Sequence, residues 1–366
     1  MHEAKSGYLY EMLPCQNLKG QHIFSVLVKR TYNIRRGGKC TPSEDQMKLL
    51  PADKFFNNGD PVINSCESES DFVPYKVATD VVLIGKAYSE GGKKVRALET
   101  TLKVGEYQKT VWVIGDRICR YRSFGEHVFS DPEPFASMEL RYERAYGGVD
   151  IHAQDGNPLI YPRNPIGQGF VVKNKKEAID NMPLPNLEEP GNRLTPDRLV
   201  IGKMENWHKQ PLPQGFGWFG KSWYPRCTFA GVMPADIPLY ETMREAYLGY
   251  VPKDQVESFK KMRIPMMDFK FFNGASPGLI LSYLKGDEVI KLINMDLEGD
   301  FEFQLPGDIP AISVDIGNGP QESEVVLHTV AILKEENKLY LVWRGAVEYP
   351  GPEHMQELSK LEISVQ

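Results

Sequence analysis

The sequence predicts a mainly β protein of the α+β class, with antiparallel sheets or a sandwich, a loop-rich middle layer and a short helical insertion. Strand-like apolar patterns in both the first and the last third of the chain are the first observation behind this prediction. The second is a middle third crowded with proline, glycine and aromatic residues, which is typical of ordered loops packed on a sheet. The third is that one stretch, residues 239–262, has a pattern that favours helix.

The first region, residues 1–123, is predicted to be β structure. From Phe24 to Ile34, apolar side chains fall mostly on even positions and polar ones on odd positions. Such a period of two indicates a half-buried strand. The short apolar run at 79–85 predicts a buried strand. Further strands are expected at 95–104, 110–114 and 118–122.

The remaining chain divides into three regions, which we expect to form one continuous assembly with the first. Residues 124–238 are predicted to be a loop-rich region packed on the sheet. Residues 239–262 are predicted to be an inserted helical hairpin, divided by Pro252 because proline interrupts a helix. Residues 263–366 return to β structure. Their predicted strands are 289–294, 301–305, 324–333 and 338–344.

The bulk composition favours a soluble cytoplasmic protein. The 366 residues carry a net charge of -6, whereas proteins that bind nucleic acids usually have a basic face. No apolar run approaches the roughly 18 residues that span a bilayer, and the first residues lack the apolar core of a signal peptide. The five cysteines are far apart and include no C-x-x-C pair, so free thiols of a reducing compartment are expected.

The sequence offers no catalytic, cofactor or metal motif, and none is predicted. It contains no G-x-S-x-G, phosphate-binding loop or H-E-x-x-H pattern. One set of polar residues, Asp150, His152 and Asp155 near Glu143, has the groups of a metal site or a general base. A polar loop after a strand is the favoured interpretation of this set.

Two blocks rich in arginine and glycine, LRYERAYGGVD and YPRNPIGQGF, lie between residues 140 and 170. Arginine presents a fork of donors that suits either a substrate anion or backbone carbonyls. We favour the second, structural alternative, and expect the glycines in tight turns, at least one with positive φ. Arg226 and Arg344 fit the same scheme. The residues assigned to these structural corners are Arg144, Tyr146, Gly147, Gly148, Arg163, Asn164, Pro165, Gly167, Arg226 and Arg344.

The chain also resembles a known bacterial family through blocks that occur in a fixed order from Asp80 to Gly345. In sequence, these are TDVVLIGKAY, VIGDR, MELRYERAYGG, RNPIGQGF, LPNLEEP, PQGFG, WYPR, DFKFFNGAS, LKGDE and VWRG. The family is a domain of unknown function found beside type VI secretion genes. Its members are described as adaptors or chaperones that help load effectors onto the VgrG/PAAR spike. This chain departs from the family pattern after Gly231 and after Ala275.

The resemblance implies a cytoplasmic adaptor that binds a type VI effector, possibly one with a PAAR-like domain, without nucleotide, metal or membrane. Partner choice should differ between members, so anchors are expected in the variable stretches 207–224 and 239–262. The expected partner-binding residues are Trp207, Trp218, Phe219, Trp223 and Tyr247. Two alternatives stay open. One is an enzyme with a site at residues 140–170, and the other is a structural piece of the secretion apparatus.

Overall fold

The structure is a computed structural model. It describes residues 2–4, 6–17, 21–122, 125–154, 157–230, 268–315, 319–349, 351 and 362–365. The predicted helical hairpin at 239–262, and Tyr247 within it, lie outside the described residues.

The described chain is dominated by short strands. They are β1 (His2–Glu3), β2 (Leu9–Gln16), β3 (His22–Asn33), β4 (Thr41–Pro42), β5 (Lys54–Phe55), β6 (Cys66–Ser68), β7 (Thr79–Ile84), β8 (Lys86–Tyr88), β9 (Ala97–Val104), β10 (Tyr107–Ile114), β11 (Cys119–Tyr121), β12 (His127–Phe129), β13 (Ser137–Glu139), β14 (Tyr146–Gly147), β15 (Val149–Gln154), β16 (Asn157–Ile160), β17 (Gln168–Gly169), β18 (Leu187–Glu188), β19 (Ile280–Leu281), β20 (Val289–Ile293), β21 (Phe301–Gln304), β22 (Ile312–Asp315), β23 (Pro320–Ser323), β24 (Val326–Leu333), β25 (Lys338–Glu348) and β26 (Glu362–Val365).

Helical structure in the described residues is brief. The two α-helices are α1 (Lys176–Ile179) and α2 (Arg226–Phe229). The 3₁₀ turns are Phe56–Asn58, Glu90–Gly92, Tyr142–Arg144, Pro196–Arg198, Met204–Lys209, Phe269–Phe272 and Lys334–Glu336. None of the helices in this part of the chain is long and apolar enough to cross a membrane.

The largest sheet combines strands from both ends of the chain. Its order is β1-β2-β3-β25-β24-β7-β19, and β4 pairs with β3. Neighbouring strands are antiparallel except for β24 and β7, which are parallel. The long central pairing joins β3 to β25 over eleven residue pairs, from Asn33 with Lys338 to Ile23 with Glu348. The mainly antiparallel β fold predicted from the sequence is therefore confirmed.

Strand β3 is buried on both faces, so the prediction of a half-buried strand is wrong on this point. Val26 and Val28 on one face are 0% exposed, and Lys29 on the other is 3% exposed. The second face is covered by the segment that follows β4. There the Lys29 ammonium pairs with the Asp71 carboxylate at 2.7 Å, and the Thr31 hydroxyl accepts a hydrogen bond from a backbone N–H. The polar side chains of the strand are thus buried with partners rather than solvated.

A second sheet, of order β18-β10-β9-β20-β21, packs against the first through a common hydrophobic core. Leu102 of β9 and Ile290 of β20 contribute to this core from one side. Val28 of β3 and Trp343 of β25 contribute from the other. The strands predicted at 79–85, 95–104, 110–114, 289–294, 301–305, 324–333 and 338–344 all occur, with small shifts at their ends.

The middle region has a hydrophobic core of its own. Aromatic side chains from distant positions meet there, and the T-shaped pair of Tyr146 and Tyr161 has its ring centroids 5.0 Å apart. Trp207 and Tyr224 form a second T-shaped pair, also at 5.0 Å. Because aromatic rings bury large areas, this core orders a stretch of chain with few regular elements. It also fixes the position of the two arginine–glycine blocks.

Candidate functional site

The two arginine–glycine blocks meet at one tight corner, in which β14 runs parallel to β17. We call Gly147, Gly148, Asn164 and Gly167 the glycine corner. Gly147 has φ +152° and Gly148 has φ +106°. A β-carbon on Gly148 would lie 2.5 Å from the Gly167 carbonyl oxygen, and one on Gly147 would lie 2.1 Å from the Asn164 carbonyl oxygen. Positive φ and close backbone contact both require glycine here, as the sequence predicted.

Asn164 ties the two blocks together from a fully buried position. Its side-chain amide donates hydrogen bonds to the carbonyl oxygens of Tyr142 at 2.8 Å and Tyr146 at 3.1 Å. The backbone carbonyl oxygen of Asn164 accepts from the Gly148 N–H at 2.8 Å. Pro165 follows in the turn and is half-buried. The two side-chain bonds and the backbone bond of Asn164 together stabilise a single loop conformation.

Arg144 and Arg163 bond to the protein itself. Arg144 donates from Nη1 to the Asn186 side-chain oxygen at 3.2 Å and lies 3.3 Å from the Asp116 carboxylate. Arg163 donates to the His208 carbonyl oxygen at 3.2 Å, and its guanidinium lies 4.9 Å from the centroid of the Trp207 ring. These contacts are those of side chains that hold loops in place.

The neighbouring Tyr146 is held as a neutral phenol inside the middle core. Burial, together with the nearby Tyr161, raises the pKa of Tyr146 well above its usual range. Burial also raises the pKa of Tyr161.

Arg226 and Arg344 lie in the main body of the fold. Arg226 forms a buried two-point ion pair with Glu69, and its Nη2 lies 2.9 Å from Glu69 Oε2. Arg344 donates from Nε to the Ser25 hydroxyl at 2.8 Å and stacks on Tyr75. Neither guanidinium reaches the glycine corner through these contacts.

A cleft of about 410 Å³ opens beside the glycine corner. It is lined by β15 residues 149–152, by residues 167–171, and by Glu177, Ala178 and residues 180–183. Asp150, on β15, is 3% exposed, and its two oxygens accept hydrogen bonds from the His152 and Val172 N–H groups. Asp150 therefore serves as a backbone anchor, in a hairpin strand rather than in the polar loop expected from the sequence.

The hairpin of β15 and β16 presents apolar side chains to solvent. Val149 is 43%, Ile151 64% and Ile160 50% exposed, and Val149 is paired with Ile160 across the two strands. We call these three residues the apolar hairpin face. The alternating positions Asp150 and Leu159 point into the protein and are buried. Val149 and Ile151 also line the cleft, so face and cleft form one surface.

A comparison with protein families matches residues 19–344 to the family described as "Uncharacterized protein conserved in bacteria (DUF2169)". The chain belongs to this family. The matched segment includes the glycine corner, the cleft and the apolar hairpin face. Comparison with curated proteins gives no match, and comparison with solved structures gives none either.

The four described aromatic residues expected to bind a partner are buried. Trp207 is 1%, Trp218 3%, Phe219 4% and Trp223 5% exposed. Trp218, Phe219 and Trp223 belong to the main core, and Trp207 belongs to the middle core. Such side chains cannot contact a partner in the described conformation, so we assign them to the core. Tyr247 lies outside the described residues.

The apolar hairpin face was missed in the sequence. Its signal was present, because Val149 and Ile151 alternate with Asp150 and His152 before an Asp-Gly dipeptide at 155–156. Asp-Gly between alternating runs is a strong hairpin signal.

Proposed function

We propose that this protein is an adaptor or chaperone that binds a type VI secretion effector in the cytoplasm and promotes its loading onto the VgrG/PAAR spike. The observation that carries the binding part of this proposal is the apolar hairpin face. Singly exposed apolar residues are common on protein surfaces. Here three lie on one hairpin next to a cleft, and clustered exposed apolar side chains can mark a surface that another molecule covers.

The apolar hairpin face favours association with a partner that can cover it. Burial of apolar surface contributes about 25 cal/mol for each Å² removed from water. The face lies on a hairpin anchored by the buried Asp150 and Leu159. A surface anchored in this way is already ordered before it binds, so little conformational entropy is lost on association. The type VI part of the proposal is supported by the order of sequence blocks from Asp80 to Gly345.

Co-purification and secretion test this function directly. The tagged protein, expressed from its own locus, should retain the effector encoded by a neighbouring gene, and deletion of the locus should reduce secretion of that effector. An effector of another type VI cluster is the matched control and should be secreted normally. Normal secretion of the neighbouring effector in the deletion strain, with no co-purification at low or high salt, would contradict the proposal.

A further inference from the structure

Arg344 on β25 is a buried cation without a counterion. Five lysine and arginine side chains are buried in the described part of the chain, and four of them pair with a buried or partly buried carboxylate. These pairs are Lys29 with Asp71, Lys76 with Asp80, Arg226 with Glu69 and Lys334 with Asp296. Arg344 is 9% exposed, and none of the described aspartates or glutamates forms an ion pair with it. Taking a charge out of water is costly unless an opposite charge replaces the water.

Local contacts fix the orientation of the Arg344 guanidinium. Its Nε donates to the Ser25 hydroxyl at 2.8 Å, and that hydroxyl donates to the Pro74 carbonyl oxygen at 3.1 Å. The guanidinium carbon lies 5.2 Å from the centroid of the Tyr75 ring. Neither Nη1 nor Nη2 forms a hydrogen bond with any residue that the structure describes. The side chain is therefore held in place while its two outer nitrogens remain available as donors.

The pKa of Arg344 reflects the missing negative charge. Burial disfavours the charged guanidinium and lowers its pKa below the usual range. The neighbouring groups that oppose this effect when ionised are Cys15, Tyr75 and Tyr283. A thiol and two phenols are uncharged at neutral pH, and burial raises the pKa of the Cys15 thiol further. None of these three groups balances the charge of the guanidinium.

The neighbouring His328 has an unpaired donor in the same cluster. Its ring lies edge-on to the Tyr75 ring, with centroids 6.1 Å apart. Burial, together with Lys76 and Arg344, lowers the pKa of His328 well below 6.5, so the ring is neutral. Its Nε2 accepts the Lys76 N–H at 3.2 Å, so the ring proton lies on Nδ1, which has no acceptor among the described residues. The cluster thus lacks an acceptor as well as a negative charge.

We propose that the two outer nitrogens of Arg344 bind a carboxylate of the protein partner, from an acidic side chain or from a C-terminus. A carboxylate accepts two parallel hydrogen bonds from a guanidinium fork. Its single negative charge balances the single positive charge, whereas a phosphate dianion would keep one charge without a partner. The whole chain has a net charge of -6, so attraction must come from this direct contact and not from the long-range field. The inference rests on the proposed function in taking the ligand to be part of a protein.

Sodium acetate is the simplest carboxylate probe. The melting temperature of the full chain is measured at pH 7 in acetate and in chloride of equal ionic strength, because a ligand that binds only the folded state raises it. The parent should show a saturable rise of about 2 °C or more at acetate concentrations well above the dissociation constant. Arg344→Gln should show no such rise. Arg344→Lys should lose most of it, because lysine keeps the charge but not the fork.

Arg35→Gln is the matched control, since Arg35 is exposed in the turn after β3. It should respond to acetate as the parent does, which separates binding at Arg344 from a general effect of the salt. Arg344→Gln should stay folded, because it removes an unpaired charge and breaks no ion pair. If this variant does not fold, Arg344→Lys gives the comparison with the parent.

Two tripeptides separate the sources of the carboxylate. The first has one glutamate between two glycines and both ends blocked, so its only carboxylate is on the side chain. The second has three glycines, a blocked N-terminus and a free C-terminus. A rise in melting temperature with either tripeptide, absent in Arg344→Gln, supports the inference and identifies the source.

Three results would overturn the inference. These are equal rises in the parent and in Arg344→Gln, a rise with phosphate but not with acetate, or a rise with acetate but with neither tripeptide. The effector separates this inference from the proposed function. If the effector co-purifies equally with the parent and with Arg344→Gln, the inference fails while the proposed function stands. If a tripeptide binds through Arg344 but no effector co-purifies, the carboxylate site stands and the proposed function fails.

Discussion

Replacing Arg226 with methionine should destabilise the fold strongly, because it removes one partner of a buried ion pair. Arg226 is 4% and Glu69 3% exposed. The guanidinium also donates to the Phe271 carbonyl oxygen at 2.9 Å and the Phe219 carbonyl oxygen at 2.6 Å. Burial disfavours the charged guanidinium, but the carboxylates of Glu69, Asp80 and Asp53 together outweigh this effect and hold the pKa of Arg226 above its usual range. A single side chain therefore joins three separate segments of the chain.

The expected loss is about 3–7 kcal/mol in the free energy of unfolding. Removing one partner of a buried ion pair costs about 3–5 kcal/mol, because the remaining charge is left without a counterion. The two hydrogen bonds to carbonyl oxygens add roughly 1 kcal/mol each at most. Methionine fills much of the volume of arginine, so the cavity contributes little. Adding Glu69→Gln should recover about 2 kcal/mol, because the buried carboxylate is then neutral.

Urea unfolding followed by tryptophan fluorescence measures these differences. Arg144→Met is the matched control, since the Arg144 side chain is 36% exposed and its carboxylate partner Asp116 is 66% exposed. Its loss should stay below about 2 kcal/mol, because the surface ion pair contributes up to about 1 kcal/mol and the hydrogen bond to Asn186 about 1 kcal/mol more. Equal losses for Arg226→Met and Arg144→Met would refute the reasoning. The reasoning would also be refuted if the Arg226→Met/Glu69→Gln double variant lost as much stability as its two single variants lose together.

Three further predictions concern the glycine corner, the core and the pH response. Gly148→Val should lower the free energy of unfolding by about 1–3 kcal/mol or more, because of backbone strain. Gly191→Val has open space around its β-carbon and should be nearly neutral in the same urea unfolding assay. Trp218→Ala should cost about 3–5 kcal/mol, and any loss of partner binding should disappear at temperatures where the variant is folded. Burial and nearby Lys76 lower the pKa of His328 well below 6.5, so the unfolded state binds more protons. The free energy of unfolding should therefore fall below about pH 6.5, by up to about 1.4 kcal/mol per pH unit. An unchanged slope in His328→Gln would contradict this assignment.

Local patterns in the sequence were sufficient for several of the strands and for the glycine corner. The alternation in β3 and the apolar run of β7 reflect the geometry of a single strand, which neighbouring residues determine. The paired glycines Gly147 and Gly148 predict a tight turn, because residues with a β-carbon rarely adopt positive φ. That limit is also a local property of the backbone. Their φ values of +152° and +106° agree with that prediction.

Burial of individual side chains depended on contacts between residues far apart in the sequence. Aromatic residues are common both in interfaces and in cores, so the residue type of Trp207, Trp218 and Trp223 does not show which of the two they line. Which of the two applies is set by the packing of the middle region on the sheets. The polar face of β3 is another example, because Lys29 is buried only through the segment that carries Asp71.

The sequence by itself determined the mainly β class, the positions of most long strands and the residues that form the glycine corner. The tertiary structure decided that Asp150 is a buried anchor while Val149 and Ile151 face solvent, and that a cleft lies beside them. Alternation along a strand separates two faces but does not say which one the rest of the chain covers. That choice is made when distant segments compete to bury apolar surface, so it appears only in the folded protein.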